Sequence, residues 1–503
     1  MKHDRIKKRM LGVAAALVAI VLVWFVVFWY RTDSGKINNS LTELVNRKET
    51  IHLWYTDDAL TDYLNSKTLE FYNSTDIRVN VKLVSGLEYL EAINTASLDD
   101  EVDTPDIYIL SNNSLEKAYL AGLATQLPDS APVYEEQLFH EAAQDAVLYD
   151  GKYVACPMYY ETSALLYNKT YLQQIADEAN GAGGSEADDG ENAKEENTSV
   201  TDAVTAEQLI PTSIVDILTF ADQYSTPENV EYFFRWDVSD IFYNYFFIGN
   251  YISAGGAAGD DKSLIDIYNT ESISSLKVYQ DMNQFFSIDT KETNYDTIMQ
   301  EFQEGKIIYT IATSDCIGRL DKAAENGEFE YEYGLAKLPD INQELSTKGM
   351  SVTNALVING YSDHKESAGR LMEFLIKNAS SDLYNMTGKL SAVNRDSYEN
   401  ANEAVFMQNY RESVPIPKML ETANFWVELE ICFAKVWGGE DANTQLRQLS
   451  EQIKTQLAGE PVTEMPLEDP QVELLPAVEY EEGTGELDVA PNNGSPSPTS
   501  ETQ

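Results

Sequence analysis

Apolar and polar residues alternate with two different periods between residues 50 and 125. Residues 51–55 form a short apolar run that predicts a buried strand, and apolar residues from Leu60 to Phe71 recur at helical spacing. Residues 77–83 alternate apolar with polar side chains, which predicts a half-buried strand, and residues 106–110 predict a further strand. Strands that alternate with helices predict an α/β fold with a parallel sheet.

The same alternation returns later in the chain. The pattern predicts strands at residues 307–313 and 354–359 and a helix over residues 365–377. Residues 418–457 are predicted to be helical, with a break at the Gly438-Gly439 pair. A chain of 503 residues exceeds the size at which single hydrophobic cores stop growing, so more than one domain is expected.

The amino-terminal residues predict a membrane anchor. Residues 1–9 hold five Lys and Arg, and the 21 residues at 10–30 carry no charge and would span about 31 Å as a helix. This run ends in Phe28-Trp29-Tyr30, whereas a signal peptide ends in small residues at its cleavage site. We expect an uncleaved, single-pass anchor in the lipid bilayer, with a cytoplasmic N-terminus, a linker at residues 31–47 and the bulk of the chain extracellular.

Two acidic segments are predicted to be disordered. Residues 177–208 hold ten acids and one Lys, and residues 459–503 hold eleven acids, no Lys or Arg and seven of the sixteen prolines. Low hydrophobicity with high net charge cannot offset the entropy lost on ordering. The whole chain has 35 basic and 83 acidic residues, a net charge of −48, which argues against a nucleic-acid partner.

The sequence lacks the common catalytic and metal-binding motifs. It has no G-x-S-x-G, H-E-x-x-H or P-loop sequence, and its three cysteines and four histidines are widely separated. Carboxylate pairs such as Asp57-Asp58 could serve a glycosidase, but chance pairs are common among 83 acids. We expect neither an enzyme nor a bound cofactor or metal.

Five stretches of the chain, in this order and spacing, form a recognisable pattern. The most specific is DGKYVACPMYYETSALLYNKTYL at residues 150–172. The other four are IHLWY with the helix that follows it, PDIYIL with NNSLEKAYLAGLATQL, EFQEGKIIYTIATSDC, and KGMSVTNALVING after Lys337-Leu338-Pro339. Together they resemble the family 1 extracellular solute-binding proteins, the maltose-binding-protein-like receptors of ABC importers, and the resemblance covers about residues 49–458.

The resemblance implies two α/β lobes of the class II periplasmic-binding-protein type, joined by a hinge. Lobe one is expected to combine residues 48–158 with 303–348, and lobe two to combine residues 159–302 with 349–458, including the acidic segment at 177–208. The chain is expected to cross between the lobes near residues 158–160, 302–306 and 349–357. The implied ligand is a mono- or oligosaccharide, captured by hinge closure and delivered to an ABC permease.

Candidate ligand contacts follow from the strand ends, because open α/β sheets bind ligands beyond the carboxyl ends of their strands. A saccharide site needs aromatic rings that stack on sugar faces and polar groups that bind hydroxyls. The strand-end rule selects Tyr55, Asp57 and Asp58, then Ser111, Asn112 and Asn113, then Thr313, Ser314 and Asp315.

The resemblance narrows the candidates and adds others. By position it implies ligand contacts from Asp58, Asn113, Glu161, Tyr245 and Trp426. An extended segment points adjacent side chains to opposite sides, and of the two tyrosines before Glu161 we expect the second in the cleft. This second tyrosine is Tyr160. The secondary candidates for ligand contact are Tyr55, Asn112, Tyr159, Trp236 and Asp315.

The sequence departs from the family pattern at two cleft positions. Leu110 and Asp315 stand where the maltodextrin receptors have tryptophans, so other rings would have to supply those stacking platforms. This departure keeps an alternative open, in which the same two-lobe scaffold serves as a surface sensor or interaction protein without transport.

Overall fold

The protein is described by a computed structural model. It describes residues 49–86, 88–99, 103–182, 203–286, 288–379, 381–398, 400–419 and 424–472. The predicted cytoplasmic flank, anchor and linker at residues 1–47 lie outside these residues. No helix among the described residues has the length and apolarity needed to cross a membrane.

The strands and helices of the described residues are numbered along the chain. The strands are β1 Thr50–Tyr55, β2 Arg78–Leu83, β3 Ile107–Ser111, β4 Leu148–Tyr149, β5 Lys152–Tyr153, β6 Cys156–Asn168, β7 Tyr232–Phe234, β8 Ser253–Ala254, β9 Ile265–Asp266, β10 Ile307–Thr313, β11 Tyr333–Ala336, β12 Met350–Ile358, β13 Leu390–Ser391 and β14 Val414–Pro415. The helices are α1 Thr61–Thr75, α2 Tyr89–Ser97, α3 Leu115–Leu120, α4 Glu141–Val147, α5 Lys169–Ala182, α6 Ile214–Gln223, α7 Thr270–Phe286, α8 Tyr295–Gln303, α9 Asp315–Glu325, α10 Lys365–Lys377, α11 Ser381–Thr387, α12 Ala401–Glu412, α13 Phe425–Trp437 and α14 Ala442–Ala458.

One large sheet runs through the molecule in the order β2-β1-β3-β12-β6-β10-β7. The pairs β1–β2, β1–β3 and β7–β10 are parallel, as the strand–helix alternation predicts. The pairs β3–β12, β12–β6 and β6–β10 are antiparallel, so the prediction of a parallel sheet is wrong for its centre. The reason is that β6 and β12 are long connecting strands rather than members of strand–helix–strand units.

The two ends of the long strand β6 belong to different parts of the sheet. Residues 156–162 of this strand pair with β12, and residues 163–167 pair with β10. We call β1–β3, with the paired parts of β6 and β12, lobe one. We call β7, β10 and β11, with the other part of β6, lobe two. The middle of β6 therefore lies where the two lobes meet.

The strand pairing corrects the predicted lobe boundaries. A crossing was expected at residues 302–306, yet β10, which follows it, pairs with β7 and β6, so residues 303–348 extend lobe two. β12 then enters lobe one, where it pairs with β3 and packs against α10. Residues 354–391 therefore belong to lobe one, and α12 follows them there, because it packs against β6 and α4. The sequence pattern missed this because β10 has the same apolar pattern whichever sheet it joins.

The predicted disorder is wrong at both ends of the first acidic segment and at the start of the second. In the first segment, α5 continues to Ala182, and Thr205 and Gln208 form a capping box on a 3-10 turn at Ala206–Leu209. In the second segment, residues 459–472 lie along α14, where specific polar partners offset the ordering entropy. These partners are Lys454 and Ser450 for Glu464, and Lys277 and Asn443 for Asp469. Residues 183–202 and 473–503 lie outside the described residues.

Burial of His140 makes the stability of lobe one depend on pH. Its ring packs edge-on against Tyr410, and its Nδ1 accepts a hydrogen bond from the Ala143 amide at 3.3 Å. Burial and the nearby Arg411 charge lower the pKa of His140 from 6.5 to about 4. Between these values the unfolded chain binds a proton that the folded protein does not, so stability falls as pH falls from 6.5 to 4.

The His140→Asn protein is expected to lose this part of the pH dependence. Asparagine keeps an acceptor for the Ala143 amide but does not titrate. From pH 7 to 4 the free energy of unfolding should fall by on the order of 2 kcal/mol less in the variant than in the wild type. Urea unfolding at several pH values measures this difference. If the free energy of unfolding changes equally with pH in the two proteins, the prediction is contradicted.

Candidate ligand-binding site

A cavity of about 740 Å³ lies between the two lobes. Lobe one contributes residues 387–389, lobe two contributes residues 240–243 and 313–315, and the connecting strands contribute Met350 and Val352. The complete lining is Ala59, Glu161, Asp240, Ile241, Phe242, Tyr243, Thr313, Ser314, Asp315, Gly318, Met350, Val352, Thr387, Gly388, Lys389, Ile416 and Trp426.

A second cavity, of about 550 Å³, lies on lobe one between the loop at residues 125–132 and α10. No aromatic side chain lines it, so it offers no stacking platform. The cavity between the lobes combines aromatic rings with carboxylates and is therefore the better candidate for a ligand site.

Lobe two supplies an aromatic wall made by Phe242, Tyr243 and Trp426. The Tyr243 ring stacks on Tyr295, with centroids 4.8 Å apart and planes 18° apart. Trp426 packs against Tyr245, with centroids 5.5 Å apart and planes 63° apart. These contacts hold Tyr243 and Trp426 from behind while both rings line the cavity, which suits them as fixed platforms.

Two carboxylates stand beside the aromatic wall. Asp240 accepts a hydrogen bond from the Phe242 amide at 2.8 Å, and burial raises the pKa of Asp240. Asp315 accepts hydrogen bonds from the Thr313 hydroxyl and, at 2.9 Å, from the Tyr295 hydroxyl. In each case the named bonds orient one carboxylate oxygen, and the group can accept further hydrogen bonds from a ligand.

In the lobe one wall, Lys389 forms ion pairs with two carboxylates. Its Nζ lies 2.8 Å from Asp57 Oδ2 and 3.0 Å from Glu161 Oε1. Burial by itself lowers the pKa of Lys389, but the two carboxylates outweigh burial, and the net effect raises it. The ammonium group therefore stays charged, and the wall presents an ion triad to the cavity.

Five sequence candidates line the cavity, and one lies directly behind it. The five are Glu161, Thr313, Ser314, Asp315 and Trp426, and their contact with a ligand stays a prediction. Tyr245 is buried behind the Trp426 ring, so it supports that ring and does not face the cavity. Asp58 is exposed and outside the lining; its neighbour Asp57 reaches the site through Lys389.

Tyr160 does not lie in the cavity. Its side chain is 1% exposed and stacks on Tyr410, with centroids 3.9 Å apart and planes 9° apart. Tyr159 is also buried, and the Lys389 ammonium lies 5.7 Å from its ring centroid. Strand alternation does place the two rings on opposite sides, but the sheet is covered on both faces here, so both are packed.

The remaining candidates also have structural positions outside the lining. Asn112 is fully buried, where it donates to the Ile416 carbonyl at 2.8 Å and accepts from the Thr353 amide at 3.0 Å. Asn113 is exposed. Tyr55 is buried and donates to the Thr61 hydroxyl, and Trp236 is fully buried with its Nε1 bound to Asn244. The strand-end rule therefore finds the edge of the sheet but not which side chains face the cavity.

The sequence reasoning missed four aromatic or charged residues of the lining. Asp240, Phe242 and Tyr243 come from a loop with two 3-10 turns, which carries no strand or helix period. Lys389 comes from the TGKLS segment before β13, and a single lysine gives no signal by itself. The dense aromatic run at residues 242–247 was the one available signal for this loop.

Among the described residues, no group of three or more His, Cys, Asp or Glu could hold a metal ion. The three cysteines are free and buried, and burial raises the pKa of the thiols of Cys156, Cys316 and Cys432. The cavity itself offers aromatic faces and hydrogen-bonding groups. The expected lack of a cofactor stays a prediction.

Comparison with known proteins defines the class. Residues 69–409, more than half of the chain, match the family model of bacterial extracellular solute-binding proteins. The chain belongs to this family, and its relatives confirm the predicted resemblance to the maltose-binding-protein-like receptors.

The individual relatives are distant in sequence and similar in fold. The chain is 21% identical to the maltodextrin-binding protein MdxE of Bacillus subtilis over 79% of this chain and 89% of that protein. A Staphylococcus aureus extracellular solute-binding protein, solved in complex with maltose, superposes with a TM-score of 0.65 at 19% identity, covering 82% of this chain and 99% of that one. A cyclo/maltodextrin-binding protein complexed with maltotetraose gives 0.63 at 18% identity, covering 82% and 98%. The likeness confirms the two-lobe α/β fold.

Proposed function

We propose that this protein is an extracellular receptor that captures a malto-oligosaccharide or a related carbohydrate between its lobes and delivers it to an ABC importer. The observation that carries the proposal is the cavity itself, where the rings of Tyr243 and Trp426 lie beside the carboxylates of Asp240, Asp315 and Glu161. Rings stack on the apolar faces of sugars, and carboxylates accept hydrogen bonds from hydroxyls.

The lobes are proposed to close on the ligand. The lining comes from both lobes, so a ligand that contacts both walls would favour the closed arrangement by its differential affinity. The relatives support a saccharide ligand: one is a maltodextrin-binding protein, and two were solved in complexes with maltose and maltotetraose. The proposal involves binding and release without a covalent step.

The anchor is part of the same proposal. Residues 10–30 carry no charge and follow five basic residues, which supports a single membrane span with a cytoplasmic N-terminus and an extracellular receptor. Such an anchor would keep the receptor near its permease.

The proposal is tested by thermal unfolding of the purified full-length protein in detergent with maltose, maltotriose or maltotetraose. A sugar at 100 times its Kd is expected to stabilise the protein by about 2.7 kcal/mol and to raise the midpoint by several degrees. Sorbitol at the same concentration controls for nonspecific stabilisation. A cooperatively unfolding protein that shows no shift with any saccharide would rule out the carbohydrate assignment and favour the surface-sensor alternative.

A further inference from the structure

The ion triad on the lobe one wall leaves two groups free to meet a ligand. Lys389 has three N–H donors, and the carboxylates of Asp57 and Glu161 use two of them. Glu161 binds Lys389 through Oε1, and no described residue is hydrogen-bonded to its Oε2. The side chain of Glu161 is 39% exposed and lines the cavity. One donor and one acceptor therefore stand side by side.

Asp57 has a different position in the triad. Its Oδ1 accepts a hydrogen bond from the Ala59 amide at 3.1 Å, and its Oδ2 accepts from Lys389. Asp57 is outside the cavity lining, whereas Lys389 and Glu161 are in it. Asp57 is thus a positioning residue that holds the ammonium group against the wall.

A neighbouring donor and acceptor fit one particular pattern on a sugar. Lys389 Nζ lies 3.0 Å from Glu161 Oε1, so the ammonium group and the carboxylate that carries the free Oε2 are direct neighbours. Two hydroxyl groups on adjacent carbons are also direct neighbours, and each hydroxyl can both donate and accept. One hydroxyl can accept from Lys389 while its neighbour donates to Glu161, with both bonds strengthened by charge. Asp240 and Asp315, on lobe two, offer only acceptors.

We propose that Lys389 and Glu161 form a specificity-determining pair that binds two adjacent hydroxyls of the sugar, so that the cavity selects saccharides with an unmodified vicinal diol. This inference rests on the proposed function and adds that the lobe one wall recognises the diol. The aromatic wall supplies the stacking, which tolerates many sugars, and the charged pair supplies the selection.

The experiment compares maltose with the set of maltose analogues that each lack one hydroxyl, by titration calorimetry on the full-length protein. In the wild type, removal of either of two adjacent hydroxyls is expected to weaken binding by at least about tenfold, because a charged partner is left unpaired. In Lys389→Met the affinity for maltose should fall by at least about tenfold, and removal of one of those two hydroxyls should then cost less than about threefold.

Two further variants separate recognition from a structural role. Glu161→Gln should reduce the penalty at the other hydroxyl of the same pair. Lys337→Met is the matched control, because Lys337 forms an ion pair with Glu412 at 2.7 Å and lies outside the lining. A purely structural role of Lys389 would weaken binding of all the analogues equally and leave the pattern of penalties unchanged.

The outcomes are distinct. If the wild type binds maltose but no two adjacent hydroxyls are sensitive to removal, this inference is overturned and the proposed function stands. The same conclusion follows if Lys389→Met shows the same pattern of penalties as the wild type. A wild-type protein that binds no saccharide overturns the proposed function and this inference with it.

Discussion

The Trp426→Ala protein is expected to bind maltotetraose about 100-fold more weakly than the wild type. The indole ring lines the cavity and is held by edge-to-face contacts with Phe425 and Tyr245, so its loss removes a fixed stacking surface. An affinity loss of 100-fold corresponds to about 2.7 kcal/mol, which is within reach of a buried aromatic contact with its apolar area. Titration calorimetry measures the change in Kd.

Two controls accompany this prediction. Trp426→Phe keeps a smaller ring and should lose less affinity than the alanine variant. Phe285→Ala removes an aromatic side chain that is 52% exposed on α7 and outside the lining, and it should leave the Kd unchanged. Wild-type affinity in Trp426→Ala would show that the sugar does not stack at this ring.

The Trp236→Ala protein is expected to lose about 3–5 kcal/mol of unfolding free energy. Trp236 is fully buried and stacks on Phe234 with ring centroids 4.6 Å apart. It also packs edge-to-face against Trp437 with ring centroids 5.7 Å apart. Its removal leaves a cavity in the core of lobe two and deprives Asn244 Oδ1 of its donor. Urea unfolding measures the loss. Trp236→Phe fills more of the space and should lose less.

Ligand affinity distinguishes the two tryptophans. At a temperature where Trp236→Ala is still folded, its Kd for maltotetraose should match that of the wild type, because the ring does not reach the cavity. A large loss of affinity with unchanged stability would restore Trp236 as a ligand platform and contradict its buried position. The two alanine variants thus compare a tryptophan that lines the cavity with one that does not.

The local elements could be predicted well because each has a strong period of its own. The helix predicted over residues 365–377 has those bounds in the structure, and the strand predicted at residues 307–313 is β10. The glycine pair at residues 438–439 does separate α13 from α14. These features depend on residues within a few positions of one another, so a linear pattern contains them.

The lobe assignment of β10 could not be predicted in this way. Its apolar residues would be buried in either sheet, and only the pairing with β7 and β6 places it in lobe two. The same holds for Tyr160, since alternation gives the side of the strand but not what covers that side. In the structure Tyr410, which is 250 residues away in the chain, covers it.

The sequence by itself determined the α/β class, the positions of most strands and helices, and the resemblance to the solute-binding family. It also indicated Glu161, Asp315 and Trp426 as site residues. Only the tertiary structure decided that Lys389 joins Asp57 and Glu161, and that a loop at residues 240–243 forms the facing wall. The physical reason is that the site forms where two lobes meet, from residues far apart in the chain. The local spacing of apolar and polar residues contains no information about such long-range contacts.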